Sequence, residues 1–293
     1  MSCKNSKKTV LITGLTIYSC SPGGIGHALA LEFHSQGLYV IATARDKEVL
    51  TDLKELGLFT LELDVNSPTS IQAALSSVRE INDGRLDILV NNAGRLYVVP
   101  GAEVDLHEAR QTFETNFFAV ISMTQNFLPL LLESKGLILN IGSVSAIIPL
   151  AFGSIYNASK AALHAYSQTL RLELEPFKVK VMVVITGGIK SRIGNNTGTL
   201  NSNSLYLEIQ DSFHRRITYS QENPMPTKVY ASGVVKEALK GSKAPNWLWR
   251  GNKTFMTWFI SRILGSWVFD ILVPRTFGLN KLSRIIQEKR KAL

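Results

Sequence analysis

Short runs of consecutive apolar residues alternate along this chain with longer stretches whose apolar residues recur at helical spacing. T-V-L-I-T (Thr9–Thr13), Y-V-I-A-T-A from Tyr39, F-T-L-E-L from Phe59, L-D-I-L-V from Leu86, L-I-L-N-I from Leu137 and V-K-V-M-V-V-I from Val179 read as six strands. Helices are expected between them over about 26–35, 68–81, 104–118 and 119–134. A further helix carries Tyr156 and ends near Pro176, where proline removes a donor. Strands apolar on both faces and alternating with helices predict an α/β fold, a doubly wound parallel sheet covered on both sides. Ligands in such folds bind beyond the carboxyl ends of the strands. Gly14, Arg45, Asp64, Asn91, Ser143 and Thr186 all fall at or just past such ends.

The pattern changes after the sixth strand. Residues 187–229 are polar and irregular, and a segment of that length predicts a mobile lid or a disordered insert. Beyond Lys240 the chain becomes basic and aromatic: from Gly241 to Leu293 ten Lys/Arg stand against two acids, a balance of +8, and all four Trp lie there. With a net charge of +9 for the whole chain, the preceding part is nearly neutral. We therefore divide the chain into a domain over 1–240 and a C-terminal tail over 241–293. Residues 254–274 as a helix reach roughly 30 Å, enough to span a bilayer. Arg262 and Asp270 lie inside that stretch, and each costs about 2.5–3.5 kcal/mol at a bilayer centre. Met256, Ile260, Ile263, Trp267 and Ile271 share one helical face, and Arg262, Ser266 and Asp270 another. The expectation is a tail that lies amphipathically in a membrane surface, or as a hairpin, with Lys281 to Lys291 against anionic headgroups. A helix docked on the domain or on a partner subunit is the alternative, and a true span the third.

Composition excludes little else. At 293 residues and 45% hydrophobic, the chain can bury a full core. Cys3 and Cys20 match no metal or disulfide spacing, and the five His show no ligand clustering, so no metal is expected. No nucleic-acid motif and no G-x-S-x-G occurs. The N-terminus shows no apolar signal core, and the catalytic part is expected to face the cytosol.

The candidate chemistry centres on N-I-G-S-V-S-A-I-I-P-L-A-F-G-S-I-Y-N-A-S-K, in which Ser143 stands thirteen residues before Tyr156 and Lys160 four after it. Positions i and i+4 share a helix face. An ammonium beneath a phenol lowers its pKa, and a phenol tuned this way donates a proton near neutral pH. A serine hydroxyl at a strand end can hold a carbonyl or alkoxide oxygen. That is the equipment for hydride transfer to a ketone.

With N-N-A-G at Asn91 to Gly94, this set resembles the short-chain dehydrogenase/reductases over about residues 8–240. The resemblance implies a Rossmann-type fold, with Ser143, Tyr156 and Lys160 as catalytic residues. It adds Asn116 of E-T-N-F-F-A, which would carry a water linking Lys160 to solvent. Cofactor contacts are implied at Gly14, Gly24, Ile25, Gly26, Asp64, Asn91, Ala93, Gly94, Tyr156, Lys160, Gly187, Ile189 and Ser191. Phosphates sit on helix N-terminal N–H groups where glycine lets the backbone approach. In A-T-A-R-D, Ala44 stands where an NAD user needs an acid, and Arg45 follows with a guanidinium suited to a 2′-phosphate. NADPH is the expected cofactor. Asp46 reads as a helix cap.

Two departures stand out. The family spacing T-G-x-x-x-G-x-G is interrupted here, and removing Leu15 to Ser19 would restore it to within one residue. The extra segment is a real loop or a misread exon boundary; if real, it crowds the phosphate turn. Where the family has P-G after the sixth strand, this chain has Thr186-Gly187, and either Thr186 or Ser191 could bind the nicotinamide carboxamide.

F-G-S-I-Y-N-A-S-K-A-A-L-H-A-Y, I-T-G-G, N-P-M-P-T-K-V-Y-A and W-R-G-N-K-T-F-M resemble the fungal NADPH-dependent 1-acyldihydroxyacetone-phosphate reductases, a similarity that runs through the tail. This implies reduction of 1-acyl-glycerone 3-phosphate to lysophosphatidate in glycerolipid synthesis, at the endoplasmic reticulum membrane and lipid droplet. The implied partner is a lipid substrate at a membrane surface, and a homo-oligomer is left open. Lys190, Arg192, Arg215 and Arg216 are the cations suited to the phosphate. The rivals are another lipophilic ketone (steroid, retinoid, 3-ketoacyl) or a catalytically silent lipid-droplet protein.

Overall fold

A computed structural model describes residues 7–14, 24–191 and 198–292, so Leu15 to Ser19 and Arg192 lie outside the described residues. The chain builds β1 (Thr9–Ile12), α1 (Ile25–Ser35), β2 (Tyr39–Ala44), the short α2 (Thr51–Glu55), β3 (Phe59–Glu62), α3 (Pro68–Ile81), β4 (Ile88–Asn91), α4 (Leu106–Phe113), α5 (Ala119–Ser134), β5 (Leu137–Ile141), α6 (Ser154–Leu174) and β6 (Lys180–Thr186). It continues through α7 (Gln210–Thr218), α8 (Thr227–Ala238), β7 (Trp247–Arg250), α9 (Thr254–Phe259), α10 (Trp267–Thr276) and α11 (Leu279–Lys291).

The seven strands form one sheet in the order β3-β2-β1-β4-β5-β6-β7, and every pairing is parallel. Strand order reverses between β1 and β4, the place where such sheets open a ligand crevice. Central strands such as β1, β4 and β5 are buried at every position, as a sheet covered on both faces requires. Leu29 and Phe33 of α1 pack with Tyr230, Val234 and Val235 of α8 on one face. On the other, Ile71, Leu75 and Val78 of α3 pack with Met123 and Phe127 of α5. Local chemistry explains α3: Ser67 accepts from Ser70 N–H at 3.3 Å, Pro68 opens the first turn, and Ile71, Ala74, Leu75 and Val78 face inward.

Three expectations change. The sheet does not end at residue 240: Trp247–Arg250 pairs in register with β6, Val183 opposite Trp247, so the first ten residues assigned to the tail belong to the domain. W-L-W-R is a four-residue, half-buried edge strand, too short to show a period. The segment after β6 is not merely polar and irregular, because α7 lies within it and buries Phe213 and Arg216. Nor is residues 254–274 one straight helix. The chain makes a π turn over Ile260–Leu264 and breaks at Gly265, whose φ of 99° favours glycine. The break turns Ile260 inward, away from its expected companions. Ile260, Phe269, Val273 and Phe277 join Leu96, Ile148, Phe152 and Phe213 in a third apolar cluster beyond the carboxyl ends of the strands.

Candidate active site

The third cluster roofs a cavity of about 340 Å³ at those strand ends. On its floor stand Ser143, just past β5, and Tyr156 and Lys160, on the first turns of α6. All three are buried, between 5% and 8% exposed. The Ser143 hydroxyl hydrogen-bonds Tyr156 and also accepts from Ser145 N–H at 3.1 Å. It thus caps the short turn that carries Val144 into the cavity.

The electrostatics correct one expectation. Burial raises the Tyr156 phenol, and the groups that draw it back down are the Ser143 hydroxyl and the charge of Arg216. Lys160 instead donates to the Ile141 carbonyl at 2.9 Å, and burial lowers its own pKa to about 8. Its ammonium is tied to the end of β5, and Lys160 is not among the groups that shift the phenol.

Asn116 is fully buried on a π turn, Glu114–Phe118, between α4 and α5. π turns of this kind often mark functional sites. Asn116 Oδ1 accepts from Arg95 N–H at 2.8 Å, while its Nδ2 donates to Arg95 O and to Ser159 Oγ, both at 2.9 Å. The carboxamide clamps the backbone after N-N-A-G to α6. In that role it is a positioning residue, with both Nδ2–H donors engaged within the protein.

Among the cofactor candidates, Gly14 has φ +74°, and a Cβ there would lie 2.3 Å from Ala93 Cα. Only glycine lets this turn close on Ala93. A Cβ on Gly94 would stand 3.5 Å from Asn116 Oδ1 and 3.7 Å from Lys160 Nζ, filling the gap between them. Gly24 precedes α1 without a side-chain cap, and no acid occupies the first turn that holds Ile25 and Gly26, which leaves its N–H groups to an anion. Arg45 is exposed directly after β2. Asp64 accepts from Asn66 N–H at 2.9 Å, and Ser67, not Asp64, caps α3. Gly187, Ile189 and Ser191 line the cavity. These residues fit a dinucleotide cofactor bound across the carboxyl ends of the strands.

Asn91 departs from its expected role: its Nδ2 donates to Asn140 Oδ1 at 2.8 Å, which joins β4 to β5. The neighbouring Asn92 is the one that faces the cavity, and it donates to Thr13 O at 3.0 Å. A strand alternates its side chains, so one of the two had to turn inward. Thr186 Oγ1 lies 2.8 Å from the Tyr230 hydroxyl, which leaves Ser191 as the hydroxyl residue for the carboxamide. Asp46 caps the turn after β2, as expected, by accepting from Glu48 N–H at 2.9 Å.

Sequence reasoning missed His164, seeing in it only one of five His without ligand clustering. Its Nε2 accepts the Ser143 N–H at 3.2 Å, and a Cβ on Gly142 would lie 2.3 Å from the same nitrogen. Burial, then the charge of Lys160, lowers its pKa to about 4, so it is neutral at pH 7. Its spacing of four from Lys160 on α6 was the available signal. A lowered pKa stabilises the fold above the unfolded value of about 6.5, and that stabilisation is lost as pH falls toward 4. Going from pH 7 to pH 5 should therefore cost the wild type about 2 kcal/mol more than a His164→Gln variant. Denaturant melts of both proteins at the two pH values measure this, and parallel losses would remove His164 as the cause.

The comparisons with known proteins agree with this geometry. The short chain dehydrogenase family model matches residues 8–201. A short-chain dehydrogenase of Hypocrea virens is 37% identical over 280 residues, covering 94% of each chain. An NADPH-dependent 1-acyldihydroxyacetone phosphate reductase of Schizosaccharomyces pombe is 41% identical over 226 residues, covering 75% of this chain and 73% of the relative. Among solved structures, a short-chain dehydrogenase from Streptomyces avermitilis superposes with a TM-score of 0.75 at 29% identity, over 96% of this chain and 98% of that one. A serine dehydrogenase complexed with NADP+ does so with a TM-score of 0.69 at 26% identity, over 84% and 95%. With the family's Ser, Tyr and Lys assembled at the crevice of a seven-stranded parallel sheet, the chain belongs to the short-chain dehydrogenase family and is an oxidoreductase of the Rossmann-type fold.

Proposed function

We propose that this enzyme uses NADPH to reduce the ketone of a lipid, 1-acyl-glycerone 3-phosphate, to 1-acyl-glycerol 3-phosphate. The observation that carries the reading is the cavity itself: Ser143 and Tyr156 form a small polar floor under walls of Ile148, Leu150, Phe269 and Val273. Such walls suit an acyl chain. The similarity to the acyldihydroxyacetone phosphate reductase supports the particular lipid.

When bound, the reduced nicotinamide supplies the hydride. Ser143 Oγ–H holds the ketone oxygen, and Tyr156 O–H, within hydrogen-bonding reach of Ser143, gives it a proton as charge develops. Lys160, fixed to Ile141 O, stands at the end of β5 beside Gly94 to hold the cofactor ribose and to return a proton to Tyr156. His164 and Asn116 fix Ser143 and the Gly94 turn in place. Purified protein should oxidise NADPH faster with acyl-dihydroxyacetone phosphate than with steroid, retinoid or 3-ketoacyl substrates. A steroid preferred by kcat/KM would replace the lipid reading, and no turnover of any ketone would favour the silent-protein rival.

The preference for NADPH rests on Arg45. Because Ala44 is fully buried, an acid introduced there would disturb the core, and Arg45 alone should be changed. A lost charge-assisted hydrogen bond costs about 1.5–3 kcal/mol. Arg45→Gln should therefore raise KM for NADPH about 10- to 100-fold and leave KM for NADH within about twofold. An unchanged NADPH/NADH ratio of kcat/KM would remove the assignment.

We also infer that the tail attaches the enzyme to an anionic membrane surface, on the endoplasmic reticulum and lipid droplets. Phe255, Trp258, Ile263, Leu264 and Trp267 are 38–74% exposed on the outer side of α9, the π turn and α10. Cationic side chains border them at Arg262 and Arg275, and α11 ends in Lys289, Arg290 and Lys291. Met256 and Leu272 belong both to this surface and to the cavity wall. A lipid could pass from one to the other without crossing water.

A further inference from the structure

Of the three phosphate candidates among the described residues, Lys190, Arg215 and Arg216, Arg216 is the one that lines the cavity. Lys190 is exposed outside it, and Arg215 is exposed and paired with Glu222 at 2.9 Å. Arg216 is only 4% exposed, yet no carboxylate among the described residues pairs with it. A buried charge without a counter-ion is costly and is kept where function needs it.

The surroundings are built around this guanidinium. Its Nε donates to Ala151 O at 3.0 Å, and its plane lies 5.9 Å from the ring of Phe277. Phe152 adopts φ +60°, a strained conformation for an aromatic residue, and its ring packs edge-on against Tyr206 and Phe213. That strained turn delivers the Ala151 carbonyl. At Gly153 a Cβ would lie 2.9 Å from Arg216 Nη2, so glycine leaves room for the fork. A guanidinium has five N–H donors, and among the described residues only Nε–H meets a protein acceptor. The other donors belong to a side chain that lines the cavity, close enough to Tyr156 for its charge to act on the phenol.

We propose that Arg216 forms an anion subsite that holds the phosphate of the substrate, whose phosphorus lies three bonds from the ketone carbon being reduced. In 1-acyl-glycerone 3-phosphate only a methylene and an oxygen separate the ketone carbon from phosphorus, so an anion seated on Arg216 brings its carbonyl to Ser143 and Tyr156. The acyl chain then runs along the walls toward Met256 and Leu272. Burial lowers the Arg216 pKa to about 10, and the guanidinium stays charged at pH 7. The subsite rests on the ketone-reductase reading for its purpose, although its occupancy can be measured without turnover.

The test compares decyl phosphate with decanol, below micelle-forming concentrations, on full-length protein saturated with NADP+ so that the cofactor's phosphate contacts are filled. Titration calorimetry should show decyl phosphate binding at least tenfold tighter, and inorganic phosphate should weaken decyl phosphate alone. Arg216→Met should abolish the tenfold difference, and Arg216→Lys should keep part of it. Wild type that binds the two alike overturns the subsite, as does a Met variant that loses affinity for both in equal ratio. If the Met variant fails to fold, wild type and the Lys variant decide. Anion preference without turnover of any ketone would sink the reductase reading and keep the subsite. Turnover of neutral ketones without anion preference would do the reverse.

Discussion

Tyr156→Phe should lower kcat by about 10³-fold, within the range expected when a general acid is removed. The replacement keeps the ring in the cluster with Ile148, Phe152 and Phe213, so the fold should hold. Cofactor affinity should remain within a few-fold, because the hydroxyl that is lost bonds Ser143 and burial of the ring is unchanged. The melting temperature with and without NADPH reports that affinity independently of turnover. A variant that keeps more than about a tenth of the wild-type rate would show that another group donates the proton. The structure also says where to look if that happens, since Arg216 and Ser143 are the groups that act on this phenol.

The second large effect concerns the tail, and the structure alters how it must be tested. Truncation after Lys240 would delete β7 from the edge of the sheet and strip Phe269, Val273 and Phe277 from the third cluster. Each fully buried apolar side chain of this size stabilises by about 1.5–3 kcal/mol. Three of them approach the whole stability of a typical domain. The truncate should aggregate. The membrane inference is better tested on the outer surface, by changing Phe255, Trp258, Ile263 and Trp267 together to Ser. These side chains are 38–74% exposed, so the loss should cost the fold less than about 2 kcal/mol. Binding to vesicles containing anionic lipid should fall more than 100-fold, because four apolar insertions are removed. Activity on a short water-soluble ketone should survive, while activity on vesicle-borne long-chain substrate should drop. A stable variant that still pellets with vesicles would place the attachment elsewhere.

Much of the site was legible before any coordinates. The central strands showed as continuous apolar runs, unlike the half-exposed edge strand β3, and the α3 boundary as Ser67 followed by Pro68, because burial on both faces and end-capping are local demands on residue type. Ser143, Tyr156 and Lys160 stood out by their spacing, which a helix turns into a shared face for i and i+4, and by the family resemblance that gave the spacing its meaning. Tertiary structure decided which partners those residues take. Lys160 bonds Ile141 O, Asn116 clamps Arg95, His164 receives Ser143 N–H, and Asn91 turns to Asn140 while Asn92 faces the cavity. Each pairing joins segments distant in sequence, so no local period records it.

The same division holds for the tail. Sequence alone established that the C-terminal stretch is apolar, aromatic and basic. Packing then turned Trp247–Arg250 into a strand and sent Ile260 and Phe269 inward, while Ile263 and Trp267 remained outside. Burial likewise singled out Arg216 among the three described cations of similar sequence context, because a charge is costly only where water is excluded, and only the fold says where that is.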